Sequence, residues 1–285
     1  MQRVGSKRTV GKIIRLAISY LVLVVMAIIS IFPIYYIVIT SLNNIPSLAS
    51  VSLGSLLPSR ISLNAYYDIL FQEPFFVWLR NSLIMALGTI IVSVLVAFLT
   101  GAALSRLNVP GKKALIVFLY ILTFLPSVAT VIPLYLMFAS LHLINTYYGL
   151  ILAYSSGTSI FGAYLVKIFI DTIPPEYEEA AMVDGLSRFR AYIRILLPMT
   201  RPIVAFVMLL AFLGAYTDYA LANAFITSGN MWTLTLGMYY LAVTNHSTLY
   251  NVFAAFSVIM GVPIMAIFIA FQKYIRNVYS LSGGK

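Results

Sequence analysis

The sequence predicts an all-α polytopic membrane protein with six transmembrane helices. Three observations predict it. Of 285 residues, 61% are hydrophobic and 9% are charged, and the mean hydropathy is +0.97, too apolar for a soluble domain of this size. The charged residues are not dispersed; they stand in short clusters between long apolar runs. Sixteen of the eighteen Lys and Arg fall on one side of the resulting topology, leaving Arg60 and Arg80 outside, and basic flanks of this kind mark the cytoplasmic face.

Taken in order, residues 1–15 form a cytoplasmic tail carrying Arg3, Lys7, Arg8, Lys12 and Arg15. The uncharged run from Leu16 to Leu42 is far longer than the ~7–15 residues of a signal-peptide core, so it reads as a retained first span. Residues 16–285 are expected to form a single transmembrane domain. From Asn43 to Arg80, Pro46, Pro58, Pro74, Asp68 and Glu73 predict an external loop with a short helix near Asn64–Phe71. A second span covers residues 82–104, and Arg106, Lys112 and Lys113 around Pro110-Gly111 form a cytoplasmic turn. The third span, residues 114–138, contains Pro126 and Pro133, which predict a kinked helix packed against protein. Leu141–Tyr147 is a brief external turn.

The fourth span, residues 148–170, carries Ser155-Ser156-Gly157-Thr158-Ser159 near its middle. Small hydroxyl residues there either serve helix packing or line a solute pathway. A fifth span at 203–221 and a sixth at 252–272 complete the set. Because no Lys, Arg, Asp or Glu occurs between Asp218 and Lys273, the stretch Ala222–Asn251 reads as a neutral external loop. Lys273, Arg276 and Lys285 close the chain in the cytoplasm.

Several function classes are disfavoured. The formal charge of +10 belongs to flanks that set topology, not to a nucleic-acid surface. There is no cysteine, hence no disulfide, cysteine metal site or thiol chemistry. His142 and His246 fall in connecting segments without acidic neighbours. Gly5 and Gly11-Lys12 are spaced one residue too far apart for a phosphate loop, and Ile13 stands where Ser or Thr is required. An intramembrane enzyme lacks its constellation, with no HExxH, no paired intramembrane carboxylates and no Ser/His/Asp set. Apart from Asp218 the spans hold no ionisable group near the bilayer centre, which argues against an ion-coupled carrier. Asp218 lies seventeen residues past Arg201, about 25 Å along a helix. It reads as an interfacial packing partner or as an acceptor for a polar ligand entering from outside. Twenty Tyr and eighteen Phe suit aromatic belts and, equally, stacking on sugar rings.

The densest charge lies in Pro174–Pro202, PPEYEEAAMVDGLSRFRAYIRILLPMTRP, with four of the eight acidic and four of the eighteen basic residues. Charge so dense between apolar runs predicts a segment that meets something outside the membrane. Pro175 suits a first helical position, where the N–H it lacks has no partner, and Glu176, Glu178 and Glu179 complement the positive end of the helix dipole. Gly185 is placed to end that helix in a left-handed conformation. Ser187 is placed to cap a second helix, with Phe189, Tyr192, Ile193 and Leu196 on one apolar face and Arg190 and Arg194 opposite.

Glu179-Ala180-Ala181, Asp184-Gly185, and then Ile195, Leu197 and Pro198 resemble the EAA loop in the permeases of binding-protein-dependent ABC importers. Leu186 and Tyr192 depart from that pattern without altering its Glu or Gly. The resemblance implies a type I (MetI-like) permease domain. In it this loop forms a coupling helix seated in a cleft of an ATPase subunit, with Glu179, Ala180, Ala181, Asp184 and Gly185 at the contact.

The segments FVWLRNSL and ALSRL within Asn64–Arg106 resemble the sugar-importer branch of these permeases, and TLTLGMYYL at Thr233–Leu241 and the chain from Asn251 onward resemble its maltose and maltodextrin (MalG-like) type. That branch implies a binding-protein contact loop at Thr227, Ser228, Gly229, Asn230, Met231 and Trp232, with Ser155, Ser156 and Asp218 as pathway candidates. It also implies a second, MalF-like permease, two ATPase subunits carrying ATP and Mg, an extracytoplasmic sugar-binding protein and surrounding membrane lipid. This chain itself would bind no cofactor and catalyse nothing. It would sit in the cell membrane with both ends in the cytoplasm, its short Gly283-Gly284-Lys285 end touching the ATPase little. Other oligosaccharides or glycerol phosphates remain open as solutes.

Overall fold

The apolar runs become helices. The structure is a computed structural model that describes residues 3–43, 61–108, 110–124, 127–244 and 250–282. Among these residues every regular element is helical, apart from an isolated antiparallel bridge between Asn43 and Ile61. The chain divides into two units, Met1–Glu73 with Ala242–Ile259, and Pro74–Leu241 with Met260–Lys285.

In the first unit, α1 (Arg3–Leu42) contains the expected first span. Apart from half-buried Tyr36, its large apolar side chains from Leu16 to Val38 are 37–65% exposed, a surface for lipid or for another subunit. Its last turn is tied down. The Ser41 and Tyr66 hydroxyls share a 2.7 Å hydrogen bond, and the Ser62 N–H donates to the Leu42 carbonyl at 2.8 Å. Tyr66 belongs to α2 (Asn64–Tyr67), which runs on through a π-helical turn, Asp68–Gln72, and so accounts for the short helix expected there. Pro46, Pro58 and Arg60 lie outside the described residues.

The second unit holds α3 (Phe75–Arg106), α4 (Lys112–Leu122), α5 (Ser127–Ser140), α6 (Tyr147–Asp171) and the charged segment. It continues through α10 (Arg201–Thr217) and α11 (Ala220–Phe225) into α12 (Leu234–Thr244). The last helix, α13 (Tyr250–Ser282), runs through both units and overshoots the expected sixth span at its C-terminal end. α3 packs along α6, and α10 packs on both. Small residues allow it: Ala97 of α3 meets Gly162 of α6, and Gly101 meets Ala163. A Cβ on Gly101 would stand 2.9 Å from the Ala163 carbonyl oxygen, so the two backbones touch, as membrane helices do where they cannot rely on the hydrophobic effect. Phe98, Val166, Ile170, Leu196, Val204 and Val207 close a buried cluster beside the charged segment.

Three expectations are corrected. α3 begins at Phe75, one residue after Pro74, rather than at Ser82. The third span is not one kinked helix but α4 and α5, of 11 and 14 residues. The break falls between Leu122 and Ser127; Pro133 sits inside α5, and Pro126 lies outside the described residues. The stretch Ala222–Asn251 is not a loop, since it holds most of α11, a 3-10 turn Gly229–Met231 and α12. Its neutrality reported the absence of charge and not the absence of helix.

The fifth span is also shorter than expected, because α10 stops at Thr217 and is bent by 80° from the helical stretch before it. Among the described residues, four helices are long and apolar enough to cross a membrane, or five if that bent pair counts as one span.

Candidate functional site

The charged segment folds as its local chemistry requires. Pro175 precedes α7 (Glu176–Val183), whose first turn carries the three glutamates. Gly185 adopts φ +92°, where a Cβ would be strained. The Gly185 N–H donates to the Met182 carbonyl and the Leu186 N–H to the Ala181 carbonyl, both at 3.1 Å, which is the Schellman closure. Ser187 stands at the cap position of α8 (Arg188–Ala191), but its side chain makes no capping bond.

The second helix differs from the expected one. After α8 the chain winds through a π-helical turn, Tyr192–Leu196, into α9 (Leu197–Met199). The wider turn shifts the facing register. Ala191, Leu196 and Thr200 are buried, whereas Phe189 and Ile193, assigned to the apolar face, are exposed. Arg190 and Arg194 are exposed as expected. The Thr200 hydroxyl donates to the Leu196 and Leu197 carbonyls at 3.1 and 3.0 Å just where the chain bends into α10.

On α7, Glu179, Ala180 and, past its end, Asp184 and Gly185 are exposed, and Ala181 is buried. Val183 is 88% exposed, Phe189 62% and Tyr177 54%. These apolar side chains stand open beside the charges of the segment. Glu178 points the other way. It is buried and ion-paired to Arg106 in the last turn of α3, and Arg106 Nη2 also donates to the Ile173 carbonyl at 2.7 Å. Beside it the Ser105 hydroxyl donates to Asp171 Oδ1 at 2.6 Å, and Asp171 pairs with Lys167 one turn earlier on α6.

At the opposite end of the second unit, the segment Thr227–Trp232 is braced by two asparagines. Asn145, in the left-handed region at φ 58°, accepts the Thr227 and Ser228 N–H groups on Oδ1 and donates from Nδ2 to the Ser228 hydroxyl at 2.7 Å. Asn81, fully buried in α3, donates to the carbonyls of Asn230 and Trp232, both at 2.9 Å, and accepts from the Tyr147 hydroxyl at 2.7 Å. Thr227, Gly229 and Asn230 remain exposed, while Trp232 lies against Tyr240 and Trp78. Asn81→Ala strands two carbonyls and a hydroxyl, so it is expected to cost about 2–4 kcal/mol. Thermal unfolding of the purified chain measures that loss, and hydrogen exchange at Leu234 should quicken with it.

Between these ends lies a cavity of about 750 Å³, walled by Tyr120 of α4, Thr123 and Phe124 just after it, Thr130 and Leu134 of α5, and Ser156, Gly157 and Phe161 of α6. The three pathway candidates are not gathered there. Ser156 faces the cavity. Ser155 is buried and donates to the Ile151 carbonyl at 2.6 Å. Asp218 Oδ1 accepts the Leu221 and Ala222 N–H groups at 2.9 and 3.2 Å and the Tyr154 hydroxyl at 3.2 Å, so it secures the break between α10 and α11. His142 is an exposed turn residue at φ 55°, and His246 and Gly283-Gly284-Lys285 lie outside the described residues.

Residues 93–277, which include the whole charged knuckle, match the family described as binding-protein-dependent transport system inner membrane component. The chain belongs to that family. It is a membrane component of a transport system, not a catalytic subunit. It is 30% identical over 279 residues to the galactooligosaccharides transport system permease protein GanQ of Bacillus subtilis (strain 168), covering 97% of this chain and 98% of the relative. It is 30% identical over 295 residues to the maltose/maltodextrin transport system permease protein MalG of Escherichia coli (strain K12), covering 95% and 96%. Its fold is similar, at a TM-score of 0.79 and 20% identity, to a chain of a bacterial ABC transporter involved in the import of the acidic polysaccharide alginate. That match covers 96% of this chain and 99% of the other.

Sequence reasoning about this family member missed three groups. Glu178 read as one more helix-dipole carboxylate because its partner, Arg106, is 72 residues away. Asn81 and Asn145 gave no local signal beyond the tolerance of Asn for a left-handed turn. Val183 and Phe189 looked like ordinary apolar residues, and only their exposure sets them apart.

Proposed function

We propose that this chain is the permease subunit of an ATP-driven sugar importer that carries oligosaccharides of the maltodextrin or galactooligosaccharide class. The observation that carries the reading is the outward face of α7, where Glu179 and Ala180 stand exposed between Val183 and Tyr177 on a helix that starts after Pro175 and is closed at Gly185. The names of the relatives support a sugar as the solute.

In this reading the knuckle is cytoplasmic and seats in an ATPase subunit, with Ala180 and Ala181 permitting close approach and Glu179 meeting a basic group. ATP and Mg are held by two ATPase subunits. Their closure draws together the knuckles of this chain and of a second, MalF-like permease. The helices then rock from inward-facing to outward-facing, and nucleotide drives transport because the knuckle's contacts differ between the two states. The single permease domain crosses six times, with α4 and α5 together making the third crossing and α10 the fifth, and both chain ends are cytoplasmic. Thr227–Trp232 then faces the extracytoplasmic sugar-binding protein, and Ser156 contributes to the lining of the pathway.

Co-purification tests it. Expected from a tagged chain in mild detergent is a complex with one further permease and two ATPase chains per copy. Transport in vesicles by the chain alone, driven by an ion gradient and indifferent to ATP, would overturn the proposal. Thermal shifts of the co-captured binding protein with malto- and galacto-oligosaccharides then decide the sugar.

A further inference from the structure

Three elements that are distant in sequence meet at one guanidinium. Arg106, the last residue of α3, holds the Glu178 carboxylate of α7 and, through Nη2, the carbonyl of Ile173 in the connection from α6 to α7. The two charged side chains are 13% and 3% exposed, so this is no solvated surface pair of small worth. Removing one partner leaves the other charge buried and uncompensated. A second tie lies alongside, from the Ser105 hydroxyl to Asp171 and on to Lys167. A third secures the end of α3, where Lys112 Nζ donates to the carbonyls of Ser105 and Leu107 at 3.2 and 3.3 Å. The far side of the knuckle is built differently. α7 leaves through the left-handed Gly185 and the extended Ser187, which makes no side-chain bond to α8, and the arm beyond it bends by 80° before α10.

We infer that Arg106 is a positioning residue for coupling: it makes α7 a rigid extension of α3 and α6, and leaves the compliance of the knuckle to its Gly185 side. A push on α7 therefore moves two packed helices at once instead of flexing the Ile173–Pro175 link. The inference rests on the docking reading above for its functional part, while the rigid attachment is a property of this chain alone.

Two measurements test it. Because the chain has no cysteine, Ile168→Cys on α6 and Val183→Cys on α7, both exposed, give one pair of spin labels on the full chain. The distance distribution between them should be narrow, and should broaden at least twofold with Arg106→Gln. An equally narrow distribution in the variant overturns the inference, whatever the ATPase does.

The second measurement counts sugar moved per ATP in reconstituted complex. Arg106→Gln and Glu178→Gln should each lower that ratio at least tenfold at unchanged subunit stoichiometry, and the charge swap Arg106→Glu with Glu178→Arg should recover it to within threefold. An unchanged ratio overturns the inference, and so does a loss of assembly in both single variants that the swap fails to repair. A wild-type complex with no ATPase defeats the docking reading instead and leaves the label distances to decide the attachment.

Discussion

Glu179→Lys is expected to abolish sugar uptake while leaving the chain folded and inserted. Glu179 is exposed near the start of α7 and its backbone N–H donates to the Pro175 carbonyl at 3.1 Å, a bond that any side chain keeps. Within the chain the change removes a helix-dipole interaction of about 0.3–1 kcal/mol. In the proposed complex it replaces an attractive pair with a repulsive one at a water-excluded contact, at a cost of roughly 2–5 kcal/mol or more. At about 1.4 kcal/mol per tenfold, docking weakens by roughly 30- to several-thousand-fold. Uptake of labelled oligosaccharide and the yield of co-purified ATPase should fall together, with unfolding temperature within a degree or two of the parent. Normal sugar-stimulated ATP hydrolysis by a purified complex carrying this substitution would show that α7 is not the docking element.

Gly149→Ala is expected to do the opposite, lowering the yield of folded chain at a residue that makes no proposed contact itself. Gly149 sits in the first turn of α6, where its N–H donates to the hydroxyl of Thr146, the capping residue, at 3.0 Å. A Cβ there would run into the Leu143 carbonyl oxygen, which is backbone. That backbone has little room to yield. His142 and Asn145 are both left-handed, the Leu143 N–H donates to the Phe138 carbonyl at 2.9 Å, and the Thr146 hydroxyl donates back to the Leu143 carbonyl at 2.7 Å. Opening the turn sacrifices the Thr146 cap, worth about 1 kcal/mol, and adds overpacking strain of about 1–3 kcal/mol. It also loosens Asn145 from Thr227 and Ser228. The yield of folded chain by size-exclusion profile should drop several-fold. Gly157→Ala is the matched control, since a Cβ at Gly157 meets nothing within 4 Å. Equal yields from the two would mean that the turn can reorganise freely.

How far the sequence spoke for the structure varied with the range of the interaction. Signals carried by neighbours along the chain came through. Uncharged runs marked α1, α3, α6 and α13, and Pro175, three glutamates and Gly185 marked the two ends of α7. Where a break is set by tertiary packing, reading failed. The expected third span offered two prolines, Pro126 at the break and Pro133 beyond it, in a stretch without charge, and hydropathy does not tell a kinked helix from two helices. The π-helical turn at Tyr192–Leu196 interrupts the 3.6-residue period and leaves Ile193 exposed, while Phe189, which precedes the turn, is exposed although the apolar spacing placed it inside. Asp218 was placed near a helix end, but its work as acceptor for Leu221 and Ala222 follows from a break that composition does not mark. The Arg106–Glu178 pair and the two bracing asparagines depend on partners more than seventy residues distant.

The bracing of Thr227–Trp232 has a consequence for how such a segment can diversify. Asn81 grips the main-chain carbonyls of Asn230 and Trp232, and Asn145 grips the main-chain N–H groups of Thr227 and Ser228. The shape of the segment is thus held largely through atoms that every residue except proline supplies, and the exposed side chains of Thr227 and Asn230 are free to be rewritten. A foreign sequence grafted between Ile226 and Thr233 that keeps Ser228 and Trp232 should inherit the same contour, since those two side chains carry the remaining contacts to Asn145, Trp78 and Tyr240.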